Sequence, residues 1–155
     1  MAKRNLNAIE GQLLNAQTGL LANTPTADTV LFNITGSVRI LEISGVVKTT
    51  AMQAQATGIL LKVTVDALAA TDICAVLDAT GDTVGTSYNI TGTLGDALVA
   101  SAVGVKIGQA GPVDIDPITS AILELENAGA ANNGQTFWNV LYQACSPGAR
   151  MLAAF

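Results

Sequence analysis

From residue 29 onward the chain is a series of short β-patterned runs cut apart by turn residues, and this punctuation is its strongest constraint. Residues 29–34 (TVLFNI) are rich in β-branched and aromatic side chains. Residues 38–48 (VRILEISGVVK) follow a Thr-Gly-Ser turn and are apolar on both faces, with Ser44-Gly45 as an interruption that suggests a bulge or a strand covered on both sides. Leu61, Val63 and Val65 alternate with Lys62, Thr64 and Asp66, the pattern of a half-buried strand. The run 72–78 (DICAVLD) predicts another strand with Ile73, Ala75 and Leu77 on one face, followed by a turn at Ala79-Thr80-Gly81-Asp82. Pro112 and Pro117 bracket Val113-Asp114-Ile115-Asp116, which fits a short edge strand, because proline cannot donate to a ladder. Ala121, Leu123 and Leu125 alternate with Ile122, Glu124 and Glu126, and 137–144 (FWNVLYQA) is the last strong strand. Short strands separated by Gly, Pro, Asn and Asp predict an all-β fold, an antiparallel jelly-roll-like β-sandwich over residues 29–155. The main helical candidate within it is 94–103 (LGDALVASAV).

Residues 1–28 read differently. Leu6, Ile9, Leu13, Leu20 and Leu21 approximate a helical stripe, but Gly11 and Gly19 each weaken a helix by about 1 kcal/mol relative to Ala. Asn23-Thr24-Pro25-Thr26 then reads as a linker. The segment is therefore expected to be a short helical or extended N-terminal arm that orders against a neighbour, with Leu6, Ile9, Leu13 and Leu20 as its partner-contact residues. The stretch after Lys3-Arg4 carries a glutamate and several amides where a signal peptide would be apolar, so synthesis and assembly in a cytoplasm are expected. No uninterrupted apolar run approaches the roughly 20 residues of a membrane helix.

Chemistry is excluded more readily than assigned. Histidine is absent, which removes the usual base for a Ser or Cys nucleophile. Cys74 and Cys145 form no metal-binding spacing and read as small, buried apolar side chains. Asp114/Asp116 and Glu124/Glu126 are each two apart, which places each pair on the solvent face of its strand. Asp78, Thr80 and Asp82 could offer oxygens to a calcium ion, but the loop lacks the acid density of a calcium-binding loop and reads as a plain turn. Trp138 and Tyr142 share a face with Val140 and Ala144, which favours the core or a subunit interface over a sugar-binding face. Asn-Ile-Thr-Gly occurs at 33–36 and again at 89–92, each time where a strand should meet a glycine turn. A net charge of −5 argues against nucleic acid as a partner. No enzyme activity, cofactor or metal is expected.

Charged residues make up 12% of the chain, against about 25% in an average soluble domain. Such a surface is neutral and small, suited to repeated packing against other protein, and its edge strands without lysine need partners.

Residues 36–47 (GSVRILEISGVV), 72–78 (DICAVLD), 82–98 (DTVGTSYNITGTLGDAL) and the closing FWNVLYQACSPGARMLAA resemble small virion proteins of tailed bacteriophages. The likeness spans most of residues 29–154 and leaves the arm unmatched. It implies a capsid decoration, or cement, protein: a β-sandwich held on the outside of a virion shell. Its partners would be the major capsid protein and further copies of itself, a trimer ahead of a dimer. A tail or neck component, or a receptor- or glycan-binding module of a tail fibre, are the alternatives.

Overall fold

The computed structural model describes residues 11–22, 28–52, 58–106, 108–127 and 134–155, and among them every regular element is a strand. In chain order these are β1 (Leu13–Gln17), β2 (Leu21–Ala22), β3 (Thr29–Thr35), β4 (Val38–Val47), β5 (Gly58–Val65), β6 (Thr71–Asp72), β7 (Leu77–Asp78), β8 (Ser87–Asn89), β9 (Val99–Ser101), β10 (Val113–Ile115), β11 (Ala121–Asn127), β12 (Gln135–Ala144) and β13 (Arg150–Ala153). They form two antiparallel sheets. The first runs β1-β12-β4-β8-β9, with β2 beside β12 and β10 beside β4; the second runs β13-β3-β11-β5-β6, with β7 beside β5. Inward side chains of both sheets, including Phe32, Ile40, Ile43, Leu61, Leu123 and Trp138, merge into one buried core. The expected all-β sandwich is thus the observed architecture.

Several local readings change. Of the two conformations expected for the N-terminal segment, residues 11–22 take the extended one, and β1 pairs along its whole length with β12, from Leu13 opposite Gln143 to Gln17 opposite Asn139. A strand period splits the supposed helical stripe: Ala16 and Thr18 are buried, while Leu13, Asn15 and Gln17 face out. The helical candidate at 94–103 is also not a helix. Gly95 sits at φ +92°, Ala97 bridges in parallel to Ala75, and residues 99–101 become β9 on the edge of the first sheet. Glycine and β-branched valines make this a poor helix, and β8 supplies a ladder instead. The run 72–78 does not stay one strand either. It breaks between β6 and β7, with Ile73 and Cys74 both buried and Val76 exposed.

The bulge in β4 falls at Leu41, where the register against β12 shifts, and not at Ser44-Gly45. Gly45 has another role. It lies between Trp138 on one side and Tyr88 on the other, in register with both, and the two aromatic rings stack across it at 6.3 Å. Both copies of Asn-Ile-Thr-Gly end a strand or its extension and turn on a left-handed glycine, Gly36 at φ +68° and Gly92 at φ +89°. Cys74 is buried, and burial pushes its thiol up to about 11. Cys145 is only half-buried, contrary to the reading of both cysteines as buried.

Candidate interaction surface

Of the four residues expected to touch a partner, Leu13 and Leu20 lie at one edge of the sandwich. Leu6 and Ile9 are outside the described residues. Leu13 on β1 is 60% exposed, and Leu20, between β1 and β2, is 49% exposed. The edge strands of the two sheets, β1 and β13, run close together here. Phe155 approaches Gly19 and is exposed, as is Leu152 on β13. These C-terminal side chains escaped the sequence reading, since apolar residues in an alanine-rich tail carry no periodic signal.

A second feature joins two loops. Asp66 and Ala67 both adopt left-handed backbone, at φ 50° and 56°. The Asp66 carboxylate accepts hydrogen bonds from the amides of Ile118 (2.8 Å), Thr119 (2.6 Å) and Ser120 (3.1 Å) and from the Thr119 hydroxyl (2.6 Å). The Asp66 amide returns a bond to the Ser120 carbonyl at 2.8 Å. The clamp holds Ile118 outward at 93% exposure, with Leu68 also exposed on the facing loop. The Thr119 hydroxyl, foremost, and the three amides favour the ionised form and hold this carboxyl far below the usual range. A depressed folded-state value means the clamp's stabilisation is complete above the ordinary aspartate range. It is lost as pH falls from about 4 downward. Asp66→Asn keeps a residue tolerant of left-handed backbone but removes the charge. It should lower the melting temperature by several degrees at pH 7 and flatten the fall in melting temperature between pH 4 and pH 2, as read by thermal melts. Superimposable curves for the two proteins would contradict this role.

The third feature surrounds β10, which is an edge strand as its prolines predict. It pairs with β4, placing Asp114 opposite Arg39 and Ile115 opposite Val38. Arg39 grips Asp114 through Nε (2.7 Å) and Nη2 (3.2 Å), and the guanidinium holds that carboxyl below its usual range. The Ser37 hydroxyl donates to Asp116. One side of β10 borders a hollow of about 300 Å³ lined by residues 37–39, 114–116 and Cys145. The other borders a more apolar one of about 220 Å³, lined by Val63, Val65, Ile73, Leu94, Val113 and Ile115 among others. Asp114 and Asp116 do face solvent, as expected.

The other acidic pairs are occupied structurally. Glu124 is not solvated: it is only 9% exposed and accepts from the Thr64 hydroxyl at 2.8 Å, because β11 is an inner strand. Glu126 pairs with Lys62 at 3.1 Å, and Lys62 also binds Asp28. At the 78–82 turn, Asp78 accepts the Thr80 amide at 2.9 Å, and Asp82 accepts the Tyr88 hydroxyl at 2.8 Å. Trp138 and Tyr142 are in the core, with the Tyr142 hydroxyl accepting from the Met151 amide at 3.0 Å. Among the described residues no three side chains of metal-ligating type come together.

No protein-family model matches the chain, and no curated protein does. A solved structure does. A chain in the acidic stable capsid structure of Helicobacter pylori bacteriophage KHP30 superposes with a TM-score of 0.50 at 15% identity, covering 92% of this chain and 94% of that one. The two therefore share a fold over nearly their whole lengths. A chain in the structure of infectious bursal disease virus Gt strain aligns with 92% of this chain and 37% of its own length, at 14% identity and a TM-score of 0.24.

Proposed function

We propose that this protein is a structural component of a bacteriophage virion, and within it a capsid decoration (cement) protein. The observation that carries the reading is the end-to-end fold likeness to a chain of a phage capsid. A low-charge sandwich whose acidic side chains are used in turns, ion pairs and loop clamps supports a mechanical role over a catalytic one. In this role the protein sits on the outer shell as a homo-oligomer, bridges neighbouring copies of the major capsid protein, and adds buried area that stiffens the shell. Many weak contacts on a repeating lattice give strong retention overall.

The residues assigned to partner contact are Leu6, Ile9, Leu13 and Leu20, touching the shell or a neighbouring copy. Removing the whole segment is a poor test, since Ala16, Thr18 and Leu21 are buried in the sandwich. Leu13→Ser with Leu20→Ser is cleaner, because both side chains are exposed. Full burial of a leucine is worth about 1.5–3 kcal/mol, so the double variant should bind undecorated shells at least about tenfold more weakly per side chain lost. Its thermal stability should be unchanged. Shell binding equal to the parent's would contradict the assignment of this edge.

A further inference from the structure

We propose that β1 of one copy pairs antiparallel with β1 of a second copy across a two-fold axis at Asn15, so that the first sheets of two sandwiches continue into one another. The proposal rests on the homo-oligomer part of the reading above, and it selects a dimer. Thr18 donates its amide to the Trp138 carbonyl at 3.0 Å, and the Gln12 carbonyl accepts from the Ala144 amide at 3.1 Å. The backbone groups of even-numbered residues here therefore face β12. By the alternation of an antiparallel ladder, the N–H and C=O groups of Leu13, Asn15 and Gln17 point to the outer edge. Among the described residues no strand takes them up, since β1 has β12 as its one strand neighbour. Such an edge is a template for an added strand.

The charge pattern selects a second copy as that strand. Residues 11–22 hold no charged side chain, so two identical copies meet here without like-charge repulsion although each carries a net charge of −5. A charged partner would find no counter-charge on this edge. The other edges are guarded: Asp72 lies on β6, Asp78 on β7, Asp114 on β10 and Arg150 on β13, while β9 is only three residues long. Among the described residues β1, at five residues, is the longest edge strand. Its sequence also suits a two-fold axis. Pairing about Asn15 sets Leu13 opposite Gln17, Asn15 opposite itself, and Gln17 opposite Leu13. Every free residue then meets a free residue, for about six hydrogen bonds. Leu13, exposed in the single chain, gains cover from the Gln17 side chain of the second copy. Gly19, which Phe155 approaches, comes opposite Gly11, so the Phe155 ring meets a residue without a side chain at each end of the seam. A contact of this kind is isologous and closes at two copies.

The test uses the full chain with Asn15→Cys, in a Cys145→Ser background because Cys145 is half-buried whereas Cys74 is buried. Opposed residues of a hydrogen-bonded pair lie about 5.5 Å apart at Cα, within the roughly 4.4–6.8 Å that a disulfide spans. Mild oxidation should give a covalent dimer and nothing larger on a non-reducing gel. Leu13→Cys should link poorly to itself, about 14 Å away, but readily to Gln17→Cys when the two proteins are mixed. Asn15→Pro removes an outward N–H that β12 does not use. Asn15→Lys sets two like charges face to face and keeps the test open if the proline variant fails to fold. Each should raise the dimer dissociation constant about tenfold or more by analytical ultracentrifugation, the lysine variant less so in high salt. A ladder of links, a trimer, an oligomer that Asn15→Cys does not link, or an unchanged dissociation constant with Asn15→Lys would overturn this pairing, and the homo-oligomer reading would survive alone. A stable monomer by light scattering would overturn both, and loss of its shell binding with Asn15→Lys would assign the edge to a strand of the shell.

Discussion

Gly45→Val should unfold this protein at far lower denaturant than the parent, although valine is the better strand residue. A Cβ on Gly45 would stand 2.7–2.8 Å from three carbons of the Trp138 ring. That ring is fully buried, donates from Nε1 to the Thr136 hydroxyl at 3.0 Å, and stacks on Tyr88 beyond the glycine. It therefore has no room to retreat. Overpacking costs about 1–3 kcal/mol when neighbours can shift. Expelling the ring instead approaches the roughly 3–5 kcal/mol of Trp138→Ala. The larger figure is expected here. The double variant Gly45→Val, Trp138→Ala should be much less unstable than the sum of the singles, because the cavity left by the ring accepts the valine. Additive losses, or a neutral Gly45→Val, would show that the ring does not dictate the glycine.

Gly92→Ala should be similarly damaging, and Gly95→Ala in the same turn provides the control. Both glycines are left-handed, at φ +89° and +92°, so both variants carry the backbone penalty of about 1–2 kcal/mol. Only Gly92 is also in close contact. Its added Cβ would lie 2.1 Å from the Gly111 carbonyl oxygen, whereas Gly95 has nothing within 4 Å. The 108–111 segment is docked here by the Ala110 amide, which donates to the Thr91 carbonyl at 2.9 Å, and it leads directly into β10. Backbone cannot rotate away as a side chain can. Gly92→Ala should thus exceed Gly95→Ala by about 2 kcal/mol or more in equilibrium denaturation, and should also weaken any contact made through β10. Equal losses would mean that the turn, not the docking, is what needs glycine.

The sandwich was legible because its long strands carry their own alternation. β12 is the plainest case, with Thr136, Trp138, Val140, Tyr142 and Ala144 all inward, as residue order alone predicts. The glycine turns after Asn-Ile-Thr were legible for a local reason as well, the low cost of left-handed backbone at glycine. What stayed hidden depends on partners distant in sequence. Residues 11–22 became strand because β12 was available 120 residues later, not because of their own propensity. Glu124 looked solvated until β5 and β3 enclosed β11. The candidate surface was only half visible. The exposed Leu13 and Leu20 were named from apolar character, and β10 from its prolines. The Asp66 clamp that displays Ile118, and the hollow that joins Cys145 to Asp116, bring together loops some 30 to 110 residues apart. No spacing rule along the chain reports such a juxtaposition.

The central claim is that this protein is a repeated part of a virion shell, and copy number tests it most directly. Quantitative mass spectrometry of purified virions, scaled to the major capsid protein, should return on the order of hundreds of copies per particle, as polyvalent decoration of a symmetric lattice requires. A handful of copies would move the protein to a tail or neck position, and its absence from purified particles would contradict the account altogether.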